Sequence, residues 1–455
     1  MISTQLKGLL RLSKARGSDL FVVGGPLRDL LLKRKCSDFD FALCGASELA
    51  REFAREIKSP LVPLDATPGR ETYRVVLRKQ VYFDFSELQG GSIESDLNKR
   101  DFTFNAMAVP LSNYIKGTET FIDPHGGKGD IKKRIIRALP GSVFSDDPLR
   151  MLRAFRFMSA LKFEIEPGTL GRIKKLKSKI GQVAPERIFY ELILTLSSNK
   201  VAPSIRAMHD SGLLECLFPQ LYKKKSASAS LRIQEQMERL LSHLEKIGVQ
   251  PLPEIKKVLS SKRALLSLAS LLYPLTSSSF ITAKMRTKKT KRASPAGRTL
   301  RKLRAANADI DFITAALACG REASATELKF AGKSPSLRQL YRFVDHHKDG
   351  LVPGLILNLA DRQELPGGRG WKTDPDAVAV RNSFDFYFHI YLPAKKRKPL
   401  LNGDDLIKKL KLRPGSSFKP ILDHVEEARV LGIIKTRPEA ICFAEGIFQG
   451  SRGKS

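Results

Sequence analysis

The stretch that decides the fold runs from residue 22 to residue 40 and has the sequence VVGGPLRDLLLKRKCSDFD. The apolar residues 20–23 predict a strand, and Gly24 and Gly25 then lack the Cβ atoms that would keep a ligand away from the backbone amides. A helix with Arg28 in its first turn is expected to follow. A strand, a glycine turn and a helix N-terminus in this order are typical of a phosphate-binding site.

Two carboxylates, Asp38 and Asp40, end this stretch and are separated by one residue. If SDFDFAL forms a strand, both side chains point to one face of the sheet. Their spacing suits carboxylates that share or bridge Mg²⁺. A glycine turn or an Asp-x-Asp pair alone is common in ordinary turns and loops. Both within one strand–helix–strand unit are more specific and indicate nucleotidyl transfer.

Length and charge indicate a multidomain protein that binds a polyanion. The chain has 455 residues, enough for about three domains, and its 79 Lys and Arg against 47 Asp and Glu give a net charge of +32. Such an excess points to nucleic acid, although a basic surface can have other causes. The five cysteines lack zinc or redox spacing and predict a reducing, cytoplasmic location. Because 18 consecutive apolar residues never occur, we expect no membrane span.

Hydrophobic periodicity divides the chain into an α/β part and a helical part. Between residues 20 and 139, short apolar runs alternate with helical stretches, as in an α/β unit. Beyond Pro140, apolar residues recur three and four apart, for example over residues 148–162 and 185–196. Residues 284–304 are strongly basic, and we expect Pro295 and Gly297 to break them into a mobile linker or a phosphate-contacting loop.

A second chemical signal lies in residues 145–157, SDDPLRMLRAFRF. Asp147 suits a helix N-cap and Pro148 the first helical turn. At about 100° per residue, the following arginines share one slanting helix face: Arg150, Arg153 and Arg156. Their forked donors suit a base edge and their charge suits a triphosphate, although an arginine face can also be merely solvated.

Basic residues Lys99 and Arg100 precede Asp101 and an apolar stretch in NKRDFTFNA. They lie close enough in sequence to the glycine turn and carboxylates to supply positive charge to a bound triphosphate. The alternative is an ordinary capped helix start.

Together these motifs resemble, in their order, those of class II CCA-adding enzymes and bacterial poly(A) polymerases. The resemblance spans about residues 20–220. It rests on five motifs: GGxxRD at 24–29, DxD at 38–40, KRDFTxNA at 99–106, DPxGG at 123–127, and DDPLRxxRxxRF at 146–157.

This resemblance implies a template-independent nucleotidyltransferase with an α/β head of the polymerase-β type, followed by mostly α-helical parts. The implied division is a catalytic head at residues 1–139, a helical neck with the nucleotide-recognition motif at 140–220, a helical body at 221–340, and a helical RNA-binding tail at 341–455. The expected partners are tRNA or another RNA 3′ end, and ATP and/or CTP.

The resemblance also implies residue roles. Asp38 and Asp40 would hold two Mg²⁺ ions, and Asp84 would be the third catalytic carboxylate by strand alternation, with Glu87 as the alternative. The residues expected to bind the nucleotide are Gly24, Gly25, Arg28, Arg100, Asp147, Arg150, Arg153 and Arg156. Among these, the glycine turn and Arg28 would bind phosphates, and the residues at 147 and 150 would recognise the incoming base by hydrogen bonds.

Three departures from the family pattern bear on activity. Residues 85–96 are short where long-form CCA enzymes carry a longer flexible loop, which resembles enzymes that add only part of CCA. The nucleotide-recognition motif begins with SDD at residues 145–147 where many CCA enzymes have Glu-Asp, a conservative change that preserves the base-reading Asp147 and leaves the choice of nucleotide open. Residues 271–274, LLYP, replace the His-Asp pair of a phosphohydrolase body, so we expect no hydrolase site. The remaining histidine candidates are expected to be surface or core residues: His209, His346, His347, His389 and His424.

We therefore expect an RNA 3′-end nucleotidyltransferase that adds C and/or A to the tRNA CCA end from CTP and ATP with Mg²⁺. The addition could be complete CCA, CC only or A only. One alternative is a poly(A) polymerase that tails RNA. An alternative of another class is a non-catalytic RNA-binding protein that kept the fold.

Overall fold

The computed structural model describes residues 2–69, 71–77, 81–118, 120–276, 293–325, 335–365 and 368–452. The chain forms two compact units, Met1–Thr195 with Ala207–Leu217, and Leu196–Arg206 with Phe218–Ser455. An α/β sheet in the first unit and helices elsewhere confirm the predicted fold class. The finer division into head, neck, body and tail stays a prediction.

A six-stranded sheet lies in the first unit, with the strand order β3-β4-β5-β2-β1-β6. β2 and β5 are parallel, and the other neighbouring pairs are antiparallel. The strands are β1 (Phe21–Val23), β2 (Asp38–Leu43), β3 (Leu61–Asp65), β4 (Thr72–Leu77), β5 (Val81–Glu87) and β6 (Ala108–Pro110). A separate parallel pair consists of β7 (Ile135–Ile136) and β8 (Glu164–Ile165).

Alternation along β2 and β5 separates aromatic side chains from acidic ones, because successive side chains of a strand point to opposite faces. Phe41 and Phe85 are fully buried, and their ring centroids lie 5.3 Å apart. Phe53, from the helix Ala46–Glu56, stacks on Phe83 at 5.7 Å. One face of the sheet is therefore an aromatic core, which leaves the aspartates of both strands on the other face.

Short helices connect the strands of the first unit, and longer ones follow the sheet. The α-helices up to residue 217 are Ile2–Ala15, Gly25–Leu31, Ala46–Glu56, Ile93–Leu97, Leu111–Lys116, Gly127–Lys133, Val143–Asp146, Leu149–Leu161, Pro167–Leu176, Pro185–Leu196, Ala202–Asp210 and Leu213–Leu217. Two 3₁₀ turns lie at Thr103–Asn105 and Lys177–Gln182. The helices predicted over 148–162 and 185–196 are confirmed.

Described residues beyond 218 form helices only. The α-helices are Pro219–Lys223, Ala227–Ser242, Leu244–Ile247, Leu252–Ser261, Arg263–Leu272, Pro295–Lys302, Asn307–Ala325, Leu337–His347, Leu351–Ala360, Pro375–Asp385, Leu392–Lys395, Gly403–Lys408, Phe418–Val430 and Arg437–Arg452. The 3₁₀ segments are Tyr273–Leu275 and Gly368–Lys372, and Phe386–Tyr391 is a π-helix.

Two apolar helices, Asn307–Ala325 and Leu351–Ala360, pack closely at the centre of this second unit. A Cβ added to Gly354 would lie 2.5 Å from the Cβ of Cys319, so glycine permits the close approach. Every residue of Leu351–Ala360 is buried. Among the described helices, none combines the length and apolarity that crossing a membrane requires.

The basic segment before residue 304 differs from the sequence prediction. Pro295 does not break the basic segment but starts the helix Pro295–Lys302, because Ser294 caps it by accepting a hydrogen bond from the Gly297 amide at 3.0 Å. Residues 284–292 of that segment lie outside the described residues. The prediction that the histidines are surface or core residues holds for His347, whose Nε2 atom lies 3.1 Å from the Glu322 carboxylate. His347 is a buried residue, as expected.

Candidate active site

A polar cavity of about 700 Å³ lies in the first unit, and every site residue predicted from the sequence lines it. These residues are Gly24, Gly25, Arg28, Asp38, Asp40, Asp84, Arg100, Asp147, Arg150, Arg153 and Arg156. The volume is in the range of cavities that hold a nucleotide-sized ligand. Two sides of the cavity carry opposite charges, the carboxylate wall (Asp38, Asp40 and Asp84) and the arginine wall (Arg150, Arg153 and Arg156).

The glycine turn touches both an acidic and a basic residue of the cavity. Gly24 has φ +68°, and a Cβ there would lie 2.9 Å from Nη1 of Arg100. A Cβ on Gly25 would lie 3.4 Å from Oδ2 of Asp40. Arg28 donates through Nη1 to Oδ1 of Asn105 at 2.9 Å. The absence of side chains at the turn thus lets backbone, carboxylate and guanidinium groups converge.

The carboxylate wall is set by strand register. Asp38 and Asp40 lie on β2, and Asp40 is the direct partner of Asp84 in the parallel pair of β2 with β5. Burial and the charge of Asp84 raise the pKa of Asp40 to about 6, against the opposing charges of Arg100 and Arg28. Negative charge is therefore under-compensated at Asp40. Carboxylate oxygens with such an excess of charge fit a divalent magnesium-like cation.

Asp84 is held by Arg74, its direct partner on β4. Nε and Nη2 of Arg74 donate to the two carboxylate oxygens of Asp84 at 2.8 and 2.7 Å. The alternative third carboxylate, Glu87, instead accepts hydrogen bonds from the amides of Gly45 and Ala46 at 3.0 and 2.9 Å. Glu87 is thereby committed to the start of the helix Ala46–Glu56, which leaves Asp84 facing Asp40.

The arginine wall belongs to the helix Leu149–Leu161 and is clamped by two buried acids. Arg153 pairs with Asp101 at 2.8 Å and with Glu191 at 3.3 Å, and Arg156 pairs with Glu191 at 3.0 Å. Burial would raise the pKa of Asp101, but the charge of Arg153 and the Asn105 amide outweigh it and hold the pKa below its usual range. These groups are thus fixed before any ligand binds.

The two residues expected to recognise a base are each engaged in the ligand-free protein. Oδ2 of Asp147 lies 3.0 Å from Nη2 of Arg187, whose side chain is 55% exposed. Oδ1 of Asp147 accepts a hydrogen bond from the Leu149 amide at 3.2 Å. The N-cap is Pro148, however, one residue after the Asp147 that the sequence predicted, because the helix begins only at Leu149.

Arg150 donates to the backbone carbonyl of Lys99 at 2.7 Å. Arg150 also donates to the carbonyls of Arg100 and Val143, each at 3.4 Å. An incoming base would have to compete with the exposed Arg187 guanidinium at Asp147 and with these backbone carbonyls at Arg150.

Several cavity residues were missed by the sequence analysis: Arg74, Asn105, Arg187, Tyr190 and Glu191. Arg74 could have been found from β-hairpin register, since it faces Asp84 across the β4–β5 pair. The residues of the helix Pro185–Leu196 give no such signal, because their approach to the helix Leu149–Leu161 depends on tertiary packing.

Comparison with known proteins places these features in one family. The Poly A polymerase head domain matches residues 20–137, and the family described as a probable RNA and SrmB-binding site of polymerase A matches residues 162–224. The chain is 30% identical to a CC-adding tRNA nucleotidyltransferase of Geobacter sulfurreducens, over 96% of this chain and 94% of that relative. The chain belongs to the tRNA nucleotidyltransferase family.

Two other relatives extend the comparison. An A-adding tRNA nucleotidyltransferase of Deinococcus radiodurans is 28% identical to this chain. The match covers 93% of this chain and 94% of the Deinococcus enzyme. The crystal structure of the Bacillus stearothermophilus CCA-adding enzyme in complex with CTP has a TM-score of 0.65 and 23% identity, with 98% of each chain covered. At that identity the structural likeness shows the fold, and the resemblance found in the sequence motifs is confirmed.

Proposed function

We propose that this nucleotidyltransferase adds two C residues to the 3′ end of tRNA from CTP, with Mg²⁺ held by Asp38 and Asp40. The observation that carries the reaction type is the single cavity that combines the glycine turn, the carboxylate wall and the arginine wall. The choice of CC is supported by the similarity to the Geobacter sulfurreducens enzyme over almost the whole chain.

The connection after β5 also favours partial CCA addition. β5 ends at Glu87 and the next helix begins at Ile93, so only residues 88–92 join them. The Gln89 amide in this connection donates to Oδ1 of Asp96 at 3.3 Å. This connection is therefore shorter than the flexible loop expected of enzymes that complete CCA, and it is held by a hydrogen bond to the next helix.

Each side of the cavity has a distinct part in the proposed reaction. Mg²⁺ bound at the carboxylates would favour deprotonation of the RNA 3′-hydroxyl and neutralise the triphosphate. Backbone amides of Gly24 and Gly25, with the guanidinium of Arg28, would hold phosphate oxygens in line with the attacking oxygen. Arg100 lies beside this turn and adds positive charge as pyrophosphate leaves.

Base selection would fall to Asp147 and Arg150. A cytosine presents an amino donor beside two acceptors, which suits a carboxylate acceptor next to a guanidinium donor. Arg153 and Arg156 lie one and two turns further along the helix, where their clamps to Asp101 and Glu191 hold this face in place.

Incorporation of labelled CTP and ATP, separately and together, into tRNA transcripts that end before CCA, after C and after CC tests the proposal. We expect CTP to enter the first two transcripts up to CC, and neither nucleotide to enter the third. ATP entering only the third transcript would instead make this an A-adding enzyme, and entry into all three a CCA-adding enzyme. Long A-tails on any RNA would identify a poly(A) polymerase, and binding without incorporation a silent RNA-binding protein.

A further inference from the structure

The Arg74–Asp84 pair is the best-formed contact of the carboxylate wall, and the proposed reaction gives Arg74 no part. Both carboxylate oxygens of Asp84 accept from the Arg74 guanidinium, at 2.8 and 2.7 Å. Such a two-bond geometry is the strongest that arginine makes with a carboxylate. It occupies the same oxygens that a cation shared between Asp40 and Asp84 would use.

Arg74 is more exposed to solvent than the carboxylate that it holds. Its side chain is 32% exposed, whereas that of Asp84 is 12% exposed. The guanidinium lies over the ring of Tyr82, with Cζ 4.7 Å from the centroid. Tyr82 is on β5 two residues before Asp84, so the ring already contacts the guanidinium and can retain this contact when another cation takes the carboxylate.

The charges of the carboxylate wall explain why Asp84 needs a positively charged partner. Asp40 and Asp84 face each other in register, and like charges at that spacing repel. The hydrogen bonds to Asp84 hold the pKa of Arg74 above its usual range, so the guanidinium stays charged throughout. The Arg74 guanidinium thus supplies a positive charge to Asp84 even when no metal ion is bound.

We propose that Arg74 is the internal counter-cation of Asp84, and that a divalent cation must displace it in order to bind between Asp84 and Asp40. The inference rests on the metal site of the proposed function, at Asp38 and Asp40, and adds Asp84 to it. By competing for Asp84, Arg74 weakens metal binding to the empty protein, so the metal is retained mainly when it arrives with a nucleoside triphosphate. Arg74 is a positioning residue that acts through Asp84.

Binding of Mn²⁺ to the nucleotide-free, RNA-free full-length protein tests this without any turnover. Free Mn²⁺ would be titrated by electron paramagnetic resonance for the wild type and for Arg74→Gln, with circular dichroism as a check of folding. We expect Arg74→Gln to bind Mn²⁺ about five- to tenfold more tightly, because one charged hydrogen-bonded competitor is removed. Arg74→Lys, which keeps the charge, should remain close to the wild type.

Matched variants separate competition from a general change of charge. Arg51 lies with Cζ 6.0 Å from the Tyr73 ring and does not line the cavity, so Arg51→Gln should leave Mn²⁺ affinity unchanged. In Asp84→Asn, the added change Arg74→Gln should bring no gain, because the competed carboxylate is gone. A gain that persists in that double variant would overturn the inference.

The other outcomes also decide the matter. Equal Mn²⁺ affinity in the wild type and Arg74→Gln, with loss of binding in Asp40→Asn, would overturn the counter-cation role and leave the proposed metal site intact. Absence of Mn²⁺ binding in all variants would overturn both the counter-cation role and the metal part of the proposed function. Activity in CTP incorporation would then distinguish failure of the whole function from failure of this metal site.

Discussion

The two walls of the cavity handle charge in opposite ways. On the arginine wall, Arg153 and Arg156 are neutralised by Asp101 and Glu191. On the carboxylate wall, the pKa of Asp40 rises to about 6 because burial and Asp84 outweigh the nearby guanidinium groups. The arginine wall is thus paired in the ligand-free protein, whereas Asp40 on the carboxylate wall has a buried negative charge that the nearby guanidinium groups do not offset. The difference distinguishes residues whose paired charges stabilise the folded protein from a residue whose buried charge destabilises it in the absence of a ligand.

Asp40 is the residue whose loss should affect activity most. Asp40→Ala should lower CTP incorporation by about 10³-fold or more, because the metal-held charge stabilisation of the transition state is lost. Incorporation into a tRNA transcript ending before CCA measures this, and filter binding should show RNA affinity retained. Full activity in this variant would refute the metal assignment.

Arg153 should be the stability determinant of the arginine wall. Arg153→Met should destabilise the protein by about 3 kcal/mol, because it leaves Asp101 and Glu191 without their shared buried cation. Urea unfolding measures this. Arg187→Met is the control, since its pair with Asp147 is largely exposed and should change stability by less than about 1 kcal/mol. Equal effects would show that Arg153 is not a clamp.

The carboxylate wall should show the opposite sign of stability effect. Because the folded pKa of Asp40 is about 6 and its usual value 3.8, the folded state holds a proton that the unfolded state has lost between those pH values. Stability from this group is therefore present at low pH and lost as pH rises through 6. Asp40→Asn should stabilise the metal-free protein by about 3 kcal/mol at pH 7.5.

That gain should shrink as the pH is lowered from 7.5 towards 4. Urea unfolding in the presence of a chelator, at several pH values, measures it for the wild type and the variant. A constant gain across the range would mean that Asp40 is not protonated in the folded protein near pH 5. Destabilisation by Asp40→Asn at pH 7.5 would contradict the electrostatic contrast between the walls.

Tyr190 should have the smallest effect. It is 64% exposed at the cavity and lies one turn after Arg187. Base stacking on such a ring contributes about 1–3 kcal/mol, so Tyr190→Ala should raise the KM for tRNA about tenfold with kcat little changed. Tyr190→Phe keeps the ring and should behave as the wild type. A similar loss in both variants would assign the hydroxyl, not the ring, to binding.

Local patterns were sufficient to predict much of this site. The glycine turn with Arg28 and the Asp-x-Asp pair each lie within one strand–turn–helix or strand segment, so sequence spacing determines their geometry. Strand alternation likewise selected Asp84, and the structure gives Glu87 a separate position at the helix start. The arginine helix was predictable because its face depends only on the helical period.

The partners of these residues were not predictable in the same way. Glu191 contacts Arg153 and Arg156 only because the helices Pro185–Leu196 and Leu149–Leu161 pack together. Asp101 contacts Arg153 from the segment just before the 3₁₀ turn Thr103–Asn105, 52 residues away in sequence. The helix Pro295–Lys302 was missed for a different reason. Its proline lies at the first turn behind a serine cap, where proline favours a helix, and not inside it.

The in-register pairing of β2 with β5 also limits how this enzyme could evolve. A side-chain period of two means that inserting one residue before Asp84 would turn it into the aromatic core and bring Phe83 or Phe85 to the cavity. A substitution on β5 leaves every other side chain on its own face of the sheet, whereas an insertion or deletion within the strand moves the side chains beyond it to the opposite face. Insertions and deletions near β5 should therefore accumulate in the connection 88–92, where they change the length of that loop without moving the carboxylates.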